Sequence, residues 1–227
     1  MTLREKLHLS FSLWKACLVR KPSVIRYYFH WINCIEAGRS PAEDKIPWMG
    51  YEAIQWLKDH LSSKMRVFEW GTGGSTFFFA SLVHSVISVE HDSEWYAVVS
   101  RHLEESKINN VTIHLREPEN DALSFQEYGS TDMRYAGLSF RHYVEVIDKY
   151  PDNSFDLVVI DGRARSACMR HATDKIRTRG YLLLDDSHRK IYKAGTKGCA
   201  TWQRYDFMGP CPYKKAESST TLWQKPV

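Results

Sequence analysis

The residues best suited to chemistry lie in a glycine-rich turn that follows an apolar run. Glu69 ends that run, and the chain continues Trp70-Gly71-Thr72-Gly73-Gly74-Ser75-Thr76. Glycines let the backbone turn sharply and let a ligand approach it closely, and Ser75 or Thr76 can cap a following helix. A second apolar run ends in Glu90, at about the 20-residue distance where an acid binds ribose hydroxyls. This spacing predicts a nucleoside site.

Two further apolar runs also end in carboxylates. Phe155 to Ile160 precedes Asp161, and Leu182 to Leu184 precedes the pair Asp185 and Asp186. Parallel strands deliver their carboxyl ends to one crevice, so the three side chains are expected to converge. Three oxygen ligands would suit Mg²⁺ or another divalent cation. In the alternative without a metal, Asp161 lines a cofactor pocket and one member of the pair caps the following helix.

The glycine turn resembles the first motif of the class I S-adenosylmethionine-dependent methyltransferase superfamily. Glu69-x-Gly71-x-Gly73 matches that motif, and Glu90 matches the acid that binds the ribose. The resemblance implies that S-adenosylmethionine is the cofactor, with His91 or Asp92 beside the adenine. It also implies that the methionine portion contacts Glu69 and the turn, and the cofactor-binding residues are then Glu69, Gly71, Thr72, Gly73, Ser75, Glu90, His91 and Asp161.

The carboxylates resemble those of a metal-dependent branch of small-molecule O-methyltransferases, which includes catechol, sugar and macrolide enzymes. In that branch an acid follows the fourth strand and an acidic pair follows the fifth. Asp161 matches the first position, and Asp185-Asp186 matches the pair. The resemblance therefore implies that Asp161, Asp185 and Asp186 bind the ion.

Two alternatives remain for the glycine turn. A nicotinamide-dependent oxidoreductase also uses such a turn and a ribose-binding acid, but it needs a third glycine where this chain has Thr76. A non-catalytic partner subunit that only binds S-adenosylmethionine would carry the same motif.

Methyl transfer requires alignment of the acceptor and, for a hydroxyl, removal of its proton. His188 follows the acidic pair and is one candidate base, and Asp161 is the other. Asp186 completes the set of candidate catalytic residues. Arg163 and Arg165 follow Asp161 and could bind an anionic acceptor, although a solvated helix face explains them equally well.

The acceptor is predicted to be a small-molecule or glycan hydroxyl. Base-modifying methyltransferases usually carry an Asn/Asp-Pro-Pro-aromatic motif where this chain reads Asp161-Gly162-Arg163-Ala164, and its absence argues against methylation of adenine or cytosine amino groups. We expect no nucleic-acid partner. A protein or lipid-linked acceptor is the second choice. The long segment Glu117 to Leu138, with Tyr128, Arg134 and Tyr135, and the segment Pro47 to Met49 are expected to contact the acceptor.

The elements that position these residues follow from periodicity. Short β-branched and aromatic runs alternate with amphipathic helices from Met65 onward, which predicts an α/β, Rossmann-like, mostly parallel sheet of seven strands with helices on both faces. Thr201 to Met208 and Thr220 to Gln224 flank a turn-rich stretch and should form an antiparallel C-terminal hairpin. The other predicted strands are Arg66 to Trp70, Ser85 to Glu90, Val111 to Leu115, Phe155 to Ile160 and Tyr181 to Leu184.

The first part of the chain has a different residue pattern. Residues 1–46 are predicted to form a helical N-terminal extension, and residues 47–227 the methyltransferase domain. Basic and aromatic residues alternate in the extension, so it either packs on the domain, contacts a membrane peripherally or forms a homodimer. The net charge of +4 is too small to indicate a nucleic-acid partner by itself. Five scattered cysteines and the lack of a secretory signal favour a cytoplasmic protein.

Overall fold

The computed structural model describes residue 11, residues 22–37 and residues 40–227, and its centre is one seven-stranded sheet. The strand order is β3-β2-β1-β4-β5-β7-β6. The first five strands in this order run parallel, whereas β7 is antiparallel to both β5 and β6. The predicted Rossmann-like sheet with an antiparallel C-terminal hairpin is therefore confirmed. The strands are β1 Arg66–Trp70, β2 Ser85–Glu90, β3 Val111–Leu115, β4 Phe155–Ile160, β5 Ile176–Asp185, β6 Gln203–Cys211 and β7 Lys214–Gln224.

The helices connect the strands and cover the sheet. In the described part of the chain, four 3₁₀ segments supplement them: Pro22–Tyr27, Met133–Tyr135, Glu145–Lys149 and Lys190–Cys199. The α-helices of the described residues are α1 Tyr28–Ala37, α2 Pro41–Asp44, α3 Tyr51–His60, α4 Gly74–Ala80, α5 Ser93–Glu105, α6 Phe125–Tyr128, α7 Arg141–Val144 and α8 Arg165–Lys175.

The central strands are buried on both faces. Val158 and Ile160 of β4 belong to one hydrophobic cluster, and the alternate residues Leu157 and Val159 belong to another. Side chains alternate across a strand, so a strand covered by helices on both sides needs an unbroken apolar run. Glu90, Asp161 and Asp185 accordingly lie where such a run ends, at the carboxyl edge of the sheet.

The C-terminal hairpin is longer than its sequence suggests. Residues 209–219 were expected to form a turn, but β6 continues to Cys211 and β7 begins at Lys214. The turn itself consists of Pro212 and Tyr213, and Tyr213 adopts a positive φ of 62°. Ladder pairing between Met208–Ser219 and Pro210–Glu217 outweighs the weak strand propensity of this polar stretch.

The segment between β3 and α7 is more structured than predicted. It contains α6 and the 3₁₀ turn Met133–Tyr135, and Ser139 forms bridges with Glu119 and Gly129. After it, α7 continues directly into the 3₁₀ segment Glu145–Lys149. We call residues 117–139 the β3–α7 insertion.

The described part of the N-terminal region packs against the domain. Trp31 donates from Nε1 to the carbonyl of Lys214 at 2.8 Å, and the hydroxyl of Tyr213 donates to Asp44. Of the predicted helical extension, residues 1–10, 12–21 and 38–39 lie outside the described residues. Within the described ranges no helix is long and apolar enough to cross a membrane. Contact with a membrane or a second copy stays a prediction.

Candidate functional site

The glycine turn joins β1 to α4 and lies against the loop that follows β4. Gly71 has a φ of +101°, a conformation that side chains with a Cβ rarely adopt. A Cβ there would also lie 3.1 Å from the backbone nitrogen of Gly162. Glycine is thus required at position 71 both by its backbone angle and by the close approach of the second loop.

Glu69 lies beneath the turn rather than in an open cavity. Its side chain is 1% exposed, and it accepts hydrogen bonds from the hydroxyls of Ser75, Thr76 and Ser88. Burial raises the pKa of Glu69 to about 7, although the three hydroxyls favour the ionised form. In this arrangement Glu69 and Ser75 hold the start of α4 against the sheet, and their contact with a cofactor remains a prediction.

Glu90 organises the other side of the turn. Its Oε2 accepts the backbone N–H and the hydroxyl of Thr72 at 3.0 and 2.6 Å, and its Oε1 accepts the backbone N–H groups of His91 and Asp92. Burial opposes the charge, but the bonds from His91, Thr72 and Asp92 outweigh it and lower the pKa of Glu90 to about 2. The side chain of Glu90 is consequently ionised at neutral pH and held in place by these hydrogen bonds.

A cavity of about 270 Å³ opens between the turn and Glu90. We call it the glycine-turn cavity. Trp95 lines it and donates from Nε1 to the carbonyl of Thr72 at 2.9 Å. Trp95 was not predicted as a site residue, because a tryptophan in the first turn of an amphipathic helix is usually explained by packing against the domain. The cavity brings together most of the predicted cofactor residues: Gly71, Thr72, Glu90, His91, Asp92, Trp95, Arg134, Tyr135, Asp161, Gly162 and Arg163 line it.

His91 connects this cavity to the β3–α7 insertion. Arg163 Nε, which can only donate, lies 3.2 Å from His91 Nε2, and the hydroxyl of Tyr135 lies 3.1 Å from the same atom. Nε2 therefore accepts, and the ring proton belongs on Nδ1, which is 2.7 Å from Glu90 Oε1. The guanidinium of Arg163 also lies over the Tyr135 ring and pairs with Asp132 at 3.2 Å. The insertion thus lies against the side of the glycine-turn cavity where adenine is predicted to bind. Its expected contact with an acceptor is a separate prediction.

A second cavity of about 570 Å³ lies at the carboxyl ends of β4 and β5. We call it the large cavity. It shares Asp161, Gly162 and Arg163 with the glycine-turn cavity. Of the segment Pro47 to Met49, only Trp48 lines it, and that side chain is 52% exposed. The sequence analysis missed Tyr192 and Lys214, which come from the 3₁₀ segment after β5 and from the start of β7.

The three aspartates converge on the large cavity as predicted, but each is engaged by the protein. Asp161 Oδ1 accepts from Arg165 at 2.9 Å, and Asp185 Oδ1 accepts from the Thr220 hydroxyl at 2.6 Å. Asp186 pairs with Arg189 at 2.6 Å and lies 3.6 Å from Lys214.

These contacts do not favour the predicted Mg²⁺ site. Throughout residues 22–37 and 40–227, no group of three His, Cys, Asp or Glu side chains is placed to hold a metal ion. The nearby cations Arg165, Arg189 and Lys214 already compensate two of the three carboxylates. The metal set Asp161, Asp185 and Asp186 is therefore corrected to a hydrogen-bonded carboxylate cluster.

The carboxylates of Asp161 and Asp185 influence each other. Burial, followed by repulsion from Asp161, raises the pKa of Asp185 to about 8. Burial also raises the pKa of Asp161, with Arg165 acting in the opposite direction and Asp186 in the same one. The carboxyls at the floor of this cavity therefore hold a proton more tightly than exposed carboxyls do.

Two other predicted residues occupy unexpected positions. Arg165 lines the large cavity, but its guanidinium donates to the carbonyls of Gly162, Asp161 and Asp185. It therefore ties the ends of β4 and β5 together. His188 is exposed and lines neither cavity, which makes it a poorly placed base.

The comparisons with solved structures agree with this fold. An rRNA methylase from Streptococcus thermophilus has a TM-score of 0.54 at 13% identity, over 78% of this chain and 96% of that one. A methyltransferase-like protein from Silicibacter pomeroyi has a TM-score of 0.52 at 22% identity, over 84% and 89%. A protein from Streptococcus mutans described as a methyltransferase, in complex with SAH, has a TM-score of 0.50 at 10% identity, over 75% and 94%. At such identities the likeness shows the fold alone. No protein-family model matches the chain, and no curated protein matches it.

Proposed function

We propose that the chain is an S-adenosylmethionine-dependent methyltransferase that methylates a hydroxyl of a small molecule or glycan. One observation carries this proposal: the glycine-turn cavity and the large cavity share a wall formed by Asp161, Gly162 and Arg163. A nucleoside site that adjoins a larger polar cavity is what transfer between two bound molecules requires. The methyltransferase fold of the compared structures adds to this, since one of them holds SAH.

The residues around the smaller cavity fit the proposed cofactor. Glycine at position 71 leaves room beside the backbone, ionised Glu90 can accept hydrogen bonds from ribose hydroxyls, and Trp95 offers an aromatic surface for adenine. When bound, S-adenosylmethionine supplies an already activated methyl group. The protein then has to orient the acceptor, exclude water and remove a proton.

Asp161 is the residue we assign to proton removal. It is the carboxylate that lines both cavities, so it lies where a donor and an acceptor would meet. Burial raises its pKa, which makes it a stronger base than an ordinary aspartate. Asp186 is held by Arg189 and Lys214, and we assign it to binding acceptor hydroxyls instead.

The first test is calorimetric titration with S-adenosylhomocysteine. We expect micromolar binding that weakens at least tenfold in Glu90→Ala and stays unchanged in Glu94→Ala, an exposed acid on α5. NAD is titrated in the same way for comparison, and the titration with S-adenosylhomocysteine is repeated in the presence of Mg²⁺. Tighter binding of NAD, or no binding of S-adenosylhomocysteine to a folded protein, would overturn the proposal.

The second test addresses catalysis. Asp161→Asn should retain the affinity for S-adenosylhomocysteine within about threefold and lose at least a hundredfold in methylation of a hydroxyl acceptor. An Asp161→Asn variant that remains fully active would remove Asp161 as the base. Such a result would shift attention to Asp185.

A further inference from the structure

The 3₁₀ segment Lys190–Cys199 separates the large cavity from a third cavity on the protein surface. Ile191 and Tyr192 line the large cavity, whereas Lys193 and Lys197 line the third. The third cavity measures about 550 Å³ and includes Trp202, Arg204 and Trp223. We call it the tryptophan groove. One short segment therefore touches both the proposed reaction site and a neighbouring groove.

The segment presents its basic side chains outward. Tyr192, Gly195 and Cys199 recur at intervals of three and four residues and are buried against the domain. Lys190, Lys193 and Lys197 lie on the remaining faces and are exposed. This periodicity forms a basic strip that leads from Arg189, at the large cavity, to the tryptophan groove.

The charge of this strip is not compensated. Residues 187–205 contain five lysines and arginines and neither aspartate nor glutamate. Arg189 and Arg204 pair with Asp186 and Asp206, but the three lysines of the strip form no ion pair within the described chain. Three uncompensated cations on one surface favour an anionic ligand.

The groove adds an aromatic surface to this charge. Trp202 is partly exposed, and Lys225 lies 6.0 Å from its ring centre while donating to the carbonyls of Thr173 and Ile176. Trp223, by contrast, is 4% exposed. Trp202 is therefore the ring available to a ligand, and a sugar ring or a base could pack on it.

We propose that the basic strip and the tryptophan groove bind the extended part of an anionic oligosaccharide whose reacting hydroxyl enters the large cavity. The inference rests on the proposed methyltransferase function. The carboxylates of the large cavity decide between an oligosaccharide and a nucleic acid. Glu127, Asp132, Asp161, Asp185 and Asp186 line that cavity together with Arg163, Arg165, Arg189 and Lys214. The carboxylates would accept bonds from the several hydroxyls of a sugar unit, whereas a nucleotide within a chain offers at most one hydroxyl.

The test is calorimetric titration of the whole chain with three probes of equal length: hexagalacturonate, neutral maltohexaose and a thymidine hexanucleotide. Hexagalacturonate should bind at least tenfold more tightly than either of the others. The double variant Lys193→Ala/Lys197→Ala should weaken this binding at least fivefold, and Trp202→Ala should do the same. The control Lys58→Ala/Lys64→Ala removes two exposed lysines outside the strip and should leave the affinity unchanged.

Several results would overturn the inference: no binding of hexagalacturonate, equal binding of maltohexaose, tighter binding of the oligonucleotide, or equal losses in both double variants. Titration of each sample with S-adenosylhomocysteine separates the two proposals. If the protein fails to bind the oligosaccharide but still binds S-adenosylhomocysteine, only the proposal for the basic strip is contradicted. If the unmodified chain does not bind S-adenosylhomocysteine, the methyltransferase proposal itself is contradicted. A folded Trp202→Phe variant that binds hexagalacturonate normally while Trp202→Ala does not would support stacking on this ring.

Discussion

Arg165 donates from Nη2 to the carboxylate of Asp161 at 2.9 Å, and the same nitrogen reaches the backbone carbonyl of Asp161 at 2.9 Å. The guanidinium also bonds the carbonyl of Asp185 on the neighbouring strand. Its side chain is 10% exposed. One buried cation therefore fixes both the proposed base and the strand ends that carry the carboxylate cluster.

The first prediction concerns this cation. Arg165→Gln should lower the free energy of unfolding by about 3 kcal/mol, because Asp161 and the carbonyls around it lose their donors while remaining largely buried. Urea denaturation monitored by tryptophan fluorescence measures the change. Arg189→Gln is the matched control, since Arg189 is 45% exposed and its loss should cost at most about 0.5 kcal/mol. Equal losses in the two variants would contradict the positioning role.

The second prediction concerns pH and Glu69. The pKa of this carboxyl is raised from 4.5 to about 7 in the fold, so the folded state binds the proton more tightly than the unfolded chain. The stabilisation is fully present below about pH 4.5 and is lost as the pH rises to about 7, in total about 3 kcal/mol. Glu69→Gln should flatten this part of the pH dependence of unfolding.

Urea titrations at pH 5, 6, 7 and 8 measure that slope. Gln retains the size of the side chain, and the hydroxyl of Ser75 can accept from its amide. The control Glu94→Gln alters an exposed acid and should keep the slope of the unmodified protein. A slope that survives Glu69→Gln would mean that another group, such as Asp185, dominates this pH range.

The third prediction concerns Trp95, which the sequence analysis did not select. Trp95→Ala should weaken binding of S-adenosylhomocysteine about tenfold, equivalent to about 1.4 kcal/mol, through loss of the aromatic wall. Trp95→Phe keeps a ring but loses the bond to the carbonyl of Thr72, so its loss should be smaller. Trp48→Ala, in the large cavity, should leave this affinity within twofold. Equal affinities for all three variants would exclude Trp95 from the nucleoside site.

The sequence predicted the sheet well because local signals and burial agree there. The apolar runs that lead to Glu90, Asp161 and Asp185 are strands buried on both faces, and each of these acids marks a strand end, whereas Glu69 is the penultimate residue of β1. The glycine turn was recognisable for the same reason, since glycine spacing is a local property.

The partners of the site residues could not be predicted in this way. Arg163 and Arg165 are two residues apart and of the same type, so the sequence does not distinguish their partners. In the structure Arg165 donates to the carbonyl of Gly162, whereas Arg163 contacts His91. Whether a carboxylate meets a metal or an arginine depends on contacts across strands, such as Thr220 with Asp185, which are 35 residues apart. Pairing between β6 and β7 likewise overrode the turn signals of residues 209–219.

The last prediction concerns Gly162, at the wall between the two cavities. A Cβ at this position would overlap the hydroxyl of Tyr143 and lie 3.1 Å from the carbonyl oxygen of Trp70. Tyr143 is fully buried, so it cannot move aside freely. Gly162→Ala should therefore lower the free energy of unfolding by about 1–3 kcal/mol. The double variant Gly162→Ala/Tyr143→Phe removes the overlapping oxygen and should recover more than half of the loss. Gly73→Ala adds a methyl group that meets no atom within 4 Å and serves as the stability control. If Tyr143→Phe gives no recovery, the backbone of Trp70 rather than the Tyr143 hydroxyl requires glycine at position 162.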